Sequence, residues 1–217
     1  MRGIPRPKST GGIIELIAIV ALAIGLALVI QAYVIKPYQI PSPSMVPTLD
    51  VGQRVLVNRF IYHFKSPGIG NIVVFHPPEG AVGGGPECGK RHSSNEACAA
   101  PTPQEADTNF IKRIVAGPGD QLKIIDGRPL VRSQVTAKQW RKDVAPQESY
   151  IDPCRPGTSS VPCNLRKPIT IPKGDYFMMG DNRGHSDDSR LWGPVPQSWI
   201  VGEAFMTYWP PNRIGFL

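Results

Sequence analysis

Leu16 to Ile35 is apolar throughout except for Gln31, with Ala18, Ala21, Ala23, Gly25 and Ala27 interspersed. At ~1.5 Å per residue a helix over this run spans roughly 30 Å, the thickness of a bilayer's hydrocarbon core. A cleaved signal peptide has an apolar region of only about 7–15 residues. The run therefore reads as an uncleaved anchor at 13–35 behind a tail at 1–12. Arg2, Arg6 and Lys8 precede it, and only Lys36 lies close after it. Positive charge stays on the cytoplasmic side of a span, which puts the N-terminus inside and residues 36–217 outside.

Beyond the anchor the pattern changes from continuous to alternating. Gln53 to Ile61 alternates loosely after Gly52, and Asn71 to His76 is a short apolar run stopped by Pro77-Pro78. Asn109 to Ala116 is another, stopped by Gly117-Pro118-Gly119-Asp120. Gln121 to Ile125 and Pro129 to Val131 flank Asp126-Gly127, a hairpin signal. Pro168 to Ile171, Tyr176 to Met179 and Val201 to Tyr208 complete the predicted strands. One short helix is predicted, around Thr136 to Lys142. The chain holds 24 prolines and 22 glycines, which suits strands and turns better than long helices.

The net charge of +7 changes little. No basic cluster alternates with aromatics and no nucleic-acid motif is present, so nucleic acid is not an expected partner. A basic surface beside anionic lipid headgroups accounts for the excess. Two stretches, Pro77 to Thr108 and Arg141 to Lys167, read as loops or insertions and hold the four cysteines. Their spacings are not those of zinc sites, and neither a metal nor a cofactor is expected. Outside the membrane they read as disulfides. Of three connectivities the local pairs Cys88–Cys98 and Cys154–Cys163 are preferred; four free thiols are the alternative.

Candidate chemistry sits in three places. Pro41, Pro43 and Pro47 stiffen the segment that presents Ser42 and Ser44, because each proline fixes φ and removes a donor. An extended, stiff mount suits a nucleophile; a Pro/Ser spacer is the plainer reading. Lys112 shares one strand face with Phe110, opposite Ile111 and Arg113. Desolvation there lowers a lysine's proton affinity, so that it can accept a proton from a serine; an edge lysine reaching for water is the alternative. The third place is the polar loop Gly180 to Val195, where Ser186, Asp188 and Arg190 share a face if the chain is extended.

Taken together, Pro41-Ser42-Pro43-Ser44-Met45-Val46-Pro47-Thr48-Leu49, Val55-Leu56-Val57-Asn58, Phe110-Ile111-Lys112-Arg113 with Pro118-Gly119-Asp120, and Gly180-Asp181-Asn182-Arg183 through Ser186, Asp188-Ser189-Arg190 and Trp192-Gly193 resemble the ordered motifs of bacterial type I signal peptidases. The resemblance implies a mainly β fold: an antiparallel catalytic domain with a smaller β lobe inserted at about 121–170, after one transmembrane helix. It implies Ser44 as nucleophile and Lys112 as general base. Ser42 would be the side-chain donor of the oxyanion hole, beside the Ser44 N–H. Ser186 would orient the lysine, with Asp188–Arg190 and Asp181–Arg113 as supporting ion pairs. Substrates would be exported preproteins cut after Ala-X-Ala-type sequences, close to the secretion translocon. Ile40, Pro41, Met45, Phe110 and Ile111 would line shallow pockets for the small residues. Gly184-His185, Ala116-Gly117 and Gly70-Asn71 depart from the usual residues, none within the dyad. A Ser44–His185–Asp triad is chemically attractive, but relatives with a histidine base carry it where Lys112 stands here. Two other readings are a self-cleaving repressor-type peptidase and an inactive β domain that binds exported chains.

Overall fold

The computed structural model describes residues 10–83, 88–133, 140–142, 154, 159 and 161–217. The apolar run forms helix α1 (Thr10–Tyr33). Its side chains are described from Gly12 to Leu28 and are exposed, Ile13, Leu16, Leu22 and Leu28 among them. Among the described residues, no helix is long and apolar enough to cross a membrane.

The chain turns directly from α1 into β1 (Ile35–Gln39), which pairs antiparallel with β2 (Arg54–Asn58) from Ile35↔Asn58 to Gln39↔Arg54. Ile35, the last residue of the apolar run, thus belongs to the sheet. The main sheet also takes in β3 (Ile72–Phe75), β4 (Phe110–Ala116), β9 (Asp175–Met179), β10 (Val195–Pro196) and β11 (Ile200–Trp209). Its order is β1-β2-β11-β3-β4-β9-β10, and β12 (Gly215–Phe216) adds to β11. Every pairing is antiparallel. β3 and β4 lie in the middle of the order and are buried nearly throughout, as their continuous apolar runs demand.

Between β4 and β9 the chain builds a second sheet, ordered β7-β6-β5-β8, from β5 (Gln121–Ile125), β6 (Arg128–Arg132), β7 (Arg141–Lys142) and β8 (Leu165–Thr170). Asp126 (φ 51) and Gly127 (φ 75) both take left-handed backbone, the conformation a two-residue type I′ turn requires. The two sheets share one core: Val115, Ala116, Phe177 and Met179 of the first pack with Leu122, Ile124, Leu165 and Ile169 of the second. Burying side chains of this size is worth about 1.5–3 kcal/mol each.

The predicted helix around Thr136 to Lys142 is not formed where it is described. Arg141 and Lys142 pair with Val131 and Leu130 on the edge of β6; ladder hydrogen bonds override a weak local helix preference. Residues 136–139 lie outside the described residues. The sequence also predicts no helix at α2 (Gly80–Gly83) or at α3 (Ser189–Trp192), the latter a single turn begun by Asp188. The local disulfides Cys88–Cys98 and Cys154–Cys163 are both formed. They flank α3: the Cys98 N–H reaches the Arg190 carbonyl (3.4 Å), and Leu191 packs on Cys154, Val161 and Cys163.

Candidate active site

Ser44 lies on a 3-10 turn, Pro43–Met45, so the segment is turned rather than extended. Pro43 occupies the first position of that turn, where a missing N–H costs nothing. Met45 and Leu49, fully buried among Ile40, Val55, Val57 and Val74, pin the turn from below. The segment is held from the side by Asn182: its N–H donates to the Ser44 carbonyl (3.0 Å) and its Nδ2 to the Pro43 carbonyl (3.3 Å). Ser44 is itself buried, and the half-buried Ser42 donates its hydroxyl to Ser44 Oγ at 3.2 Å.

Lys112 reaches Ser44 from β4, flanked by β3 (Val73↔Lys112) and by β9 (Arg113↔Met179). The lysine is 5 % exposed and its Nζ lies 2.7 Å from Ser44 Oγ. Phe110, on the same strand face, sets its ring centroid 5.6 Å from Nζ. Burial drives the amine's pKa down from 10.5 to about 8. Asp188, Asp187 and Asp181 pull it back up, while Arg190 adds to the lowering. A lysine in this state gives up its proton at mildly alkaline pH and can serve as a base toward a hydroxyl at hydrogen-bond distance.

Two ion pairs frame Ser44 and Lys112. Asp188 and Arg190 have fully buried side chains and pair twice, Nε to Oδ1 at 2.8 Å and Nη2 to Oδ2 at 2.9 Å. Asp188 also caps α3 by accepting from the Arg190 N–H, and it accepts from the Gly180 N–H at 3.1 Å. Burial works to raise its carboxyl, but Arg190, Lys112 and the Gly180 N–H together hold it below the usual value. Ser186, Asp188 and Arg190 therefore share a buried network through a helix cap, not through an extended face.

The second pair is bidentate: Arg113 Nε and Nη2 meet Asp181 at 2.9 and 2.8 Å, and Arg113 Nη1 donates to the Gly70 carbonyl (2.8 Å). Thr48 completes it by donating to Asp181 Oδ2 at 2.5 Å. This ties the Ser44 segment to the strand that carries the lysine. Gly180 is required by close approach: a Cβ there would collide with Ser186 Oγ and the Ser44 carbonyl oxygen.

Ser186 is fully buried, but its hydroxyl is directed to the Asp187 carbonyl (3.5 Å) and makes no hydrogen bond to Lys112 among the described residues. A groove of about 570 Å³ opens over Ser44 and Lys112. Tyr38 to Ser42 form one wall and Thr108 to Ile111 another, with Val74, His185 and Asp187 also lining it. Ile40, Pro41, Phe110 and Ile111 thus face the groove. Met45 does not: it is 0 % exposed in the core beneath, because the 3-10 turn aims it inward as Ser44 is aimed outward. His185 stands exposed at the rim, while the group 2.7 Å from Ser44 Oγ is the Lys112 amine.

Residues 13–209 match the family described as signal peptidase, peptidase S26. The chain belongs to that family. It is 35 % identical over 212 residues to signal peptidase I of Leptolyngbya laminosa, covering 98 % of this chain and 87 % of the relative. A probable signal peptidase I-1 of Synechocystis is 34 % identical over 223 residues, covering 100 % of this chain and 93 % of the relative. Signal peptidase I of Mycobacterium tuberculosis is 31 % identical over 243 aligned positions, covering 97 % and 77 %. Membership of peptidase S26 makes the chain a peptidase, as the resemblance of its motifs implies.

Three residues of this peptidase's site have no role in the sequence reading. Thr48 and Asn182 lie inside quoted motifs, but their partners are distant in sequence: Asp181 for the first, Pro43 and Ser44 for the second. Gly70 contributes only a carbonyl. The one available signal is that Thr48 and Asn182 stand inside those motifs as side chains able to bond backbone or carboxylate.

Proposed function

We propose that the chain is a membrane-tethered serine endopeptidase that removes N-terminal signal peptides from exported preproteins, with Ser44 as nucleophile and Lys112 as base. The observation that carries this reading is the 2.7 Å contact between Nζ and Ser44 Oγ, made by a buried lysine whose pKa is about 8. Neutral Lys112 takes the hydroxyl proton as Ser44 Oγ attacks the scissile carbonyl carbon. The carbonyl π electrons move onto oxygen, where the Ser42 hydroxyl and the Ser44 N–H hold the developing charge. One such donor is typically worth ~2.7–4 kcal/mol. Protonated Lys112 then gives its proton to the leaving amine as the C–N bond breaks, leaving an ester on Ser44. Neutral again, the lysine draws a proton from water as the water oxygen attacks the ester carbonyl, then returns it to Ser44 Oγ as the acyl–oxygen bond breaks, releasing the new carboxyl end and restoring Ser44 and neutral Lys112.

Ser186, Asp188 and Arg190 hold the loop against Lys112, and Asp181 with Arg113 fixes the nucleophile segment to β4. The groove is walled by Ile40, Pro41, Phe110 and Ile111, which suits an extended chain with small residues of the Ala-X-Ala type. The tether is the apolar run at 13–35, whose described side chains, from Ile13 to Leu28, are exposed. With Arg2, Arg6 and Lys8 ahead of it, the orientation is single-pass, N-terminus in the cytoplasm and 36–217 outside. Enzyme and precursor then meet on one surface near the translocon, which raises effective concentration.

The test is cleavage of a peptide whose apolar segment ends in Ala-X-Ala, in detergent, with Ser44→Ala as control. The reading expects one cut, after the second alanine, that vanishes in the variant. A cut that persists in Ser44→Ala, or none in the wild type, rejects it.

A further inference from the structure

Among the described residues that line the groove, Asp187 is the one carboxylate; the walls otherwise present Tyr38, Gln39, Thr108, Asn109 and apolar side chains. Asp187 is exposed, while Ser186 and Asp188 on either side of it are both 0 % exposed. Its backbone is therefore clamped by two buried neighbours, and its carbonyl takes the Ser186 hydroxyl. The side chain is held outward at the groove by a rigid support rather than by a loose loop. Its negative charge is close enough to raise the proton affinity of Lys112.

The base form of Lys112 carries no charge. Among the side chains that line the groove, the fixed formal charge in the working enzyme is then that of Asp187. A peptide side chain of opposite sign near the cut is attracted, and one of like sign is repelled. We infer that Asp187 determines specificity, favouring precursors with lysine or arginine at X of the Ala-X-Ala sequence or in the two residues after the cut and disfavouring those with aspartate or glutamate there. The inference rests on the proposed peptidase reading and adds a charge preference to it.

The experiment uses the full chain in detergent at fixed pH. Peptides keep both alanines of Ala-X-Ala and carry lysine, glutamine or glutamate at one position at a time, at X or at either of the two residues after the cut, and paired peptides compete in one tube. A ratio of kcat/KM values measured within one enzyme cancels any change at Lys112 common to both substrates. In the wild type, lysine should be preferred over glutamate by roughly threefold to tenfold at one or more positions, the scale of solvent-exposed charge pairs. Asp187→Asn should bring that ratio to about one, and Asp187→Lys should invert it. The wild-type ratio should also fall toward one at 1 M salt, where the screening length is about 3 Å. A wild-type ratio near one at every position, or an unchanged ratio in Asp187→Asn, overturns the inference while the glutamine peptide is still cut. Failure of Ser44-dependent cleavage of the glutamine peptide itself overturns the peptidase reading, and this inference with it.

Discussion

Replacing Lys112 by methionine removes a buried amine and keeps a side chain of similar length. Burial lowers the folded pKa from 10.5 to about 8. At about 1.36 kcal/mol per pH unit, this displacement costs folding about 3 kcal/mol wherever the unfolded chain holds its proton and the folded one resists it. Because the folded pKa lies below the unfolded one, the cost is complete below pH ~8. It declines as pH rises from about 8 to 10.5 and is absent above that. Methionine escapes the cost but forfeits the hydrogen bond to Ser44, worth about 1 kcal/mol. Ser44 keeps its contact with Ser42 at 3.2 Å. The net expectation is that Lys112→Met is inactive yet more stable than the wild type by about 2 kcal/mol at pH 7. In a chain of this size that corresponds to a rise in Tm of about 4–8 °C. Above pH 10.5 the order should reverse by about 1 kcal/mol. Thermal melts of both proteins in detergent from pH 6 to 11 read the difference directly. A variant less stable than the wild type at every pH, or a difference that does not change with pH, refutes the claim that Lys112 folds as a buried amine that resists protonation. The same pKa predicts that wild-type activity falls as pH drops below about 8.

Asp188→Asn should destabilise by about 3–5 kcal/mol in denaturant melts, because it leaves the buried Arg190 guanidinium uncompensated. It also removes an anion that raises the Lys112 pKa, so the acid limb of the pH–activity profile should move to lower pH; a limb that stays put would separate Asp188 from the lysine. Thr48→Val deletes the hydroxyl that donates to Asp181 at 2.5 Å. It should lower kcat about tenfold with little change in KM, and a purely KM effect would argue that Thr48 touches substrate instead of holding the Ser44 segment. Opening Cys154–Cys163 by the paired Cys→Ser substitutions should cost about 2–3 kcal/mol, the loop-closure value for a short bridge, as measured by denaturation with and without reductant. No difference would leave that bridge without a structural role.

Strands with a clear alternating or continuous apolar pattern are legible in the sequence, and Asp126-Gly127 marks its hairpin because few other residue pairs take left-handed backbone twice in a row. β1 is hidden because Ile35 continues the apolar run of α1 and Pro37 reads as a strand breaker; in the sheet, β1 is an edge strand, where proline is tolerated. β10 and β12 are two residues each and carry no period at all. The positions brought together at the site follow the ordered motifs, but the physical links between them do not. Pro41, Pro43 and Pro47 signal stiffness without saying that Pro43 opens a 3-10 turn. That turn sends Met45 into the core and out of the groove. Asp188 and Arg190 alternate in sequence, yet they meet through a helix cap. Thr48 finds Asp181 only after the main sheet has folded, and no local pattern encodes a partner 133 residues away.

The central claim is that Ser44 carries the covalent chemistry and Lys112 supplies the proton transfer. Mass spectrometry of the full chain, acid-quenched within its first turnover of an activated ester of an Ala-X-Ala peptide, tests it most directly. The account predicts an acyl adduct that maps to Ser44, accumulates in the wild type at pH 8, and is absent from both Ser44→Ala and Lys112→Ala. An adduct on another residue, or undiminished acylation of Ser44 when Lys112 is alanine, would contradict it.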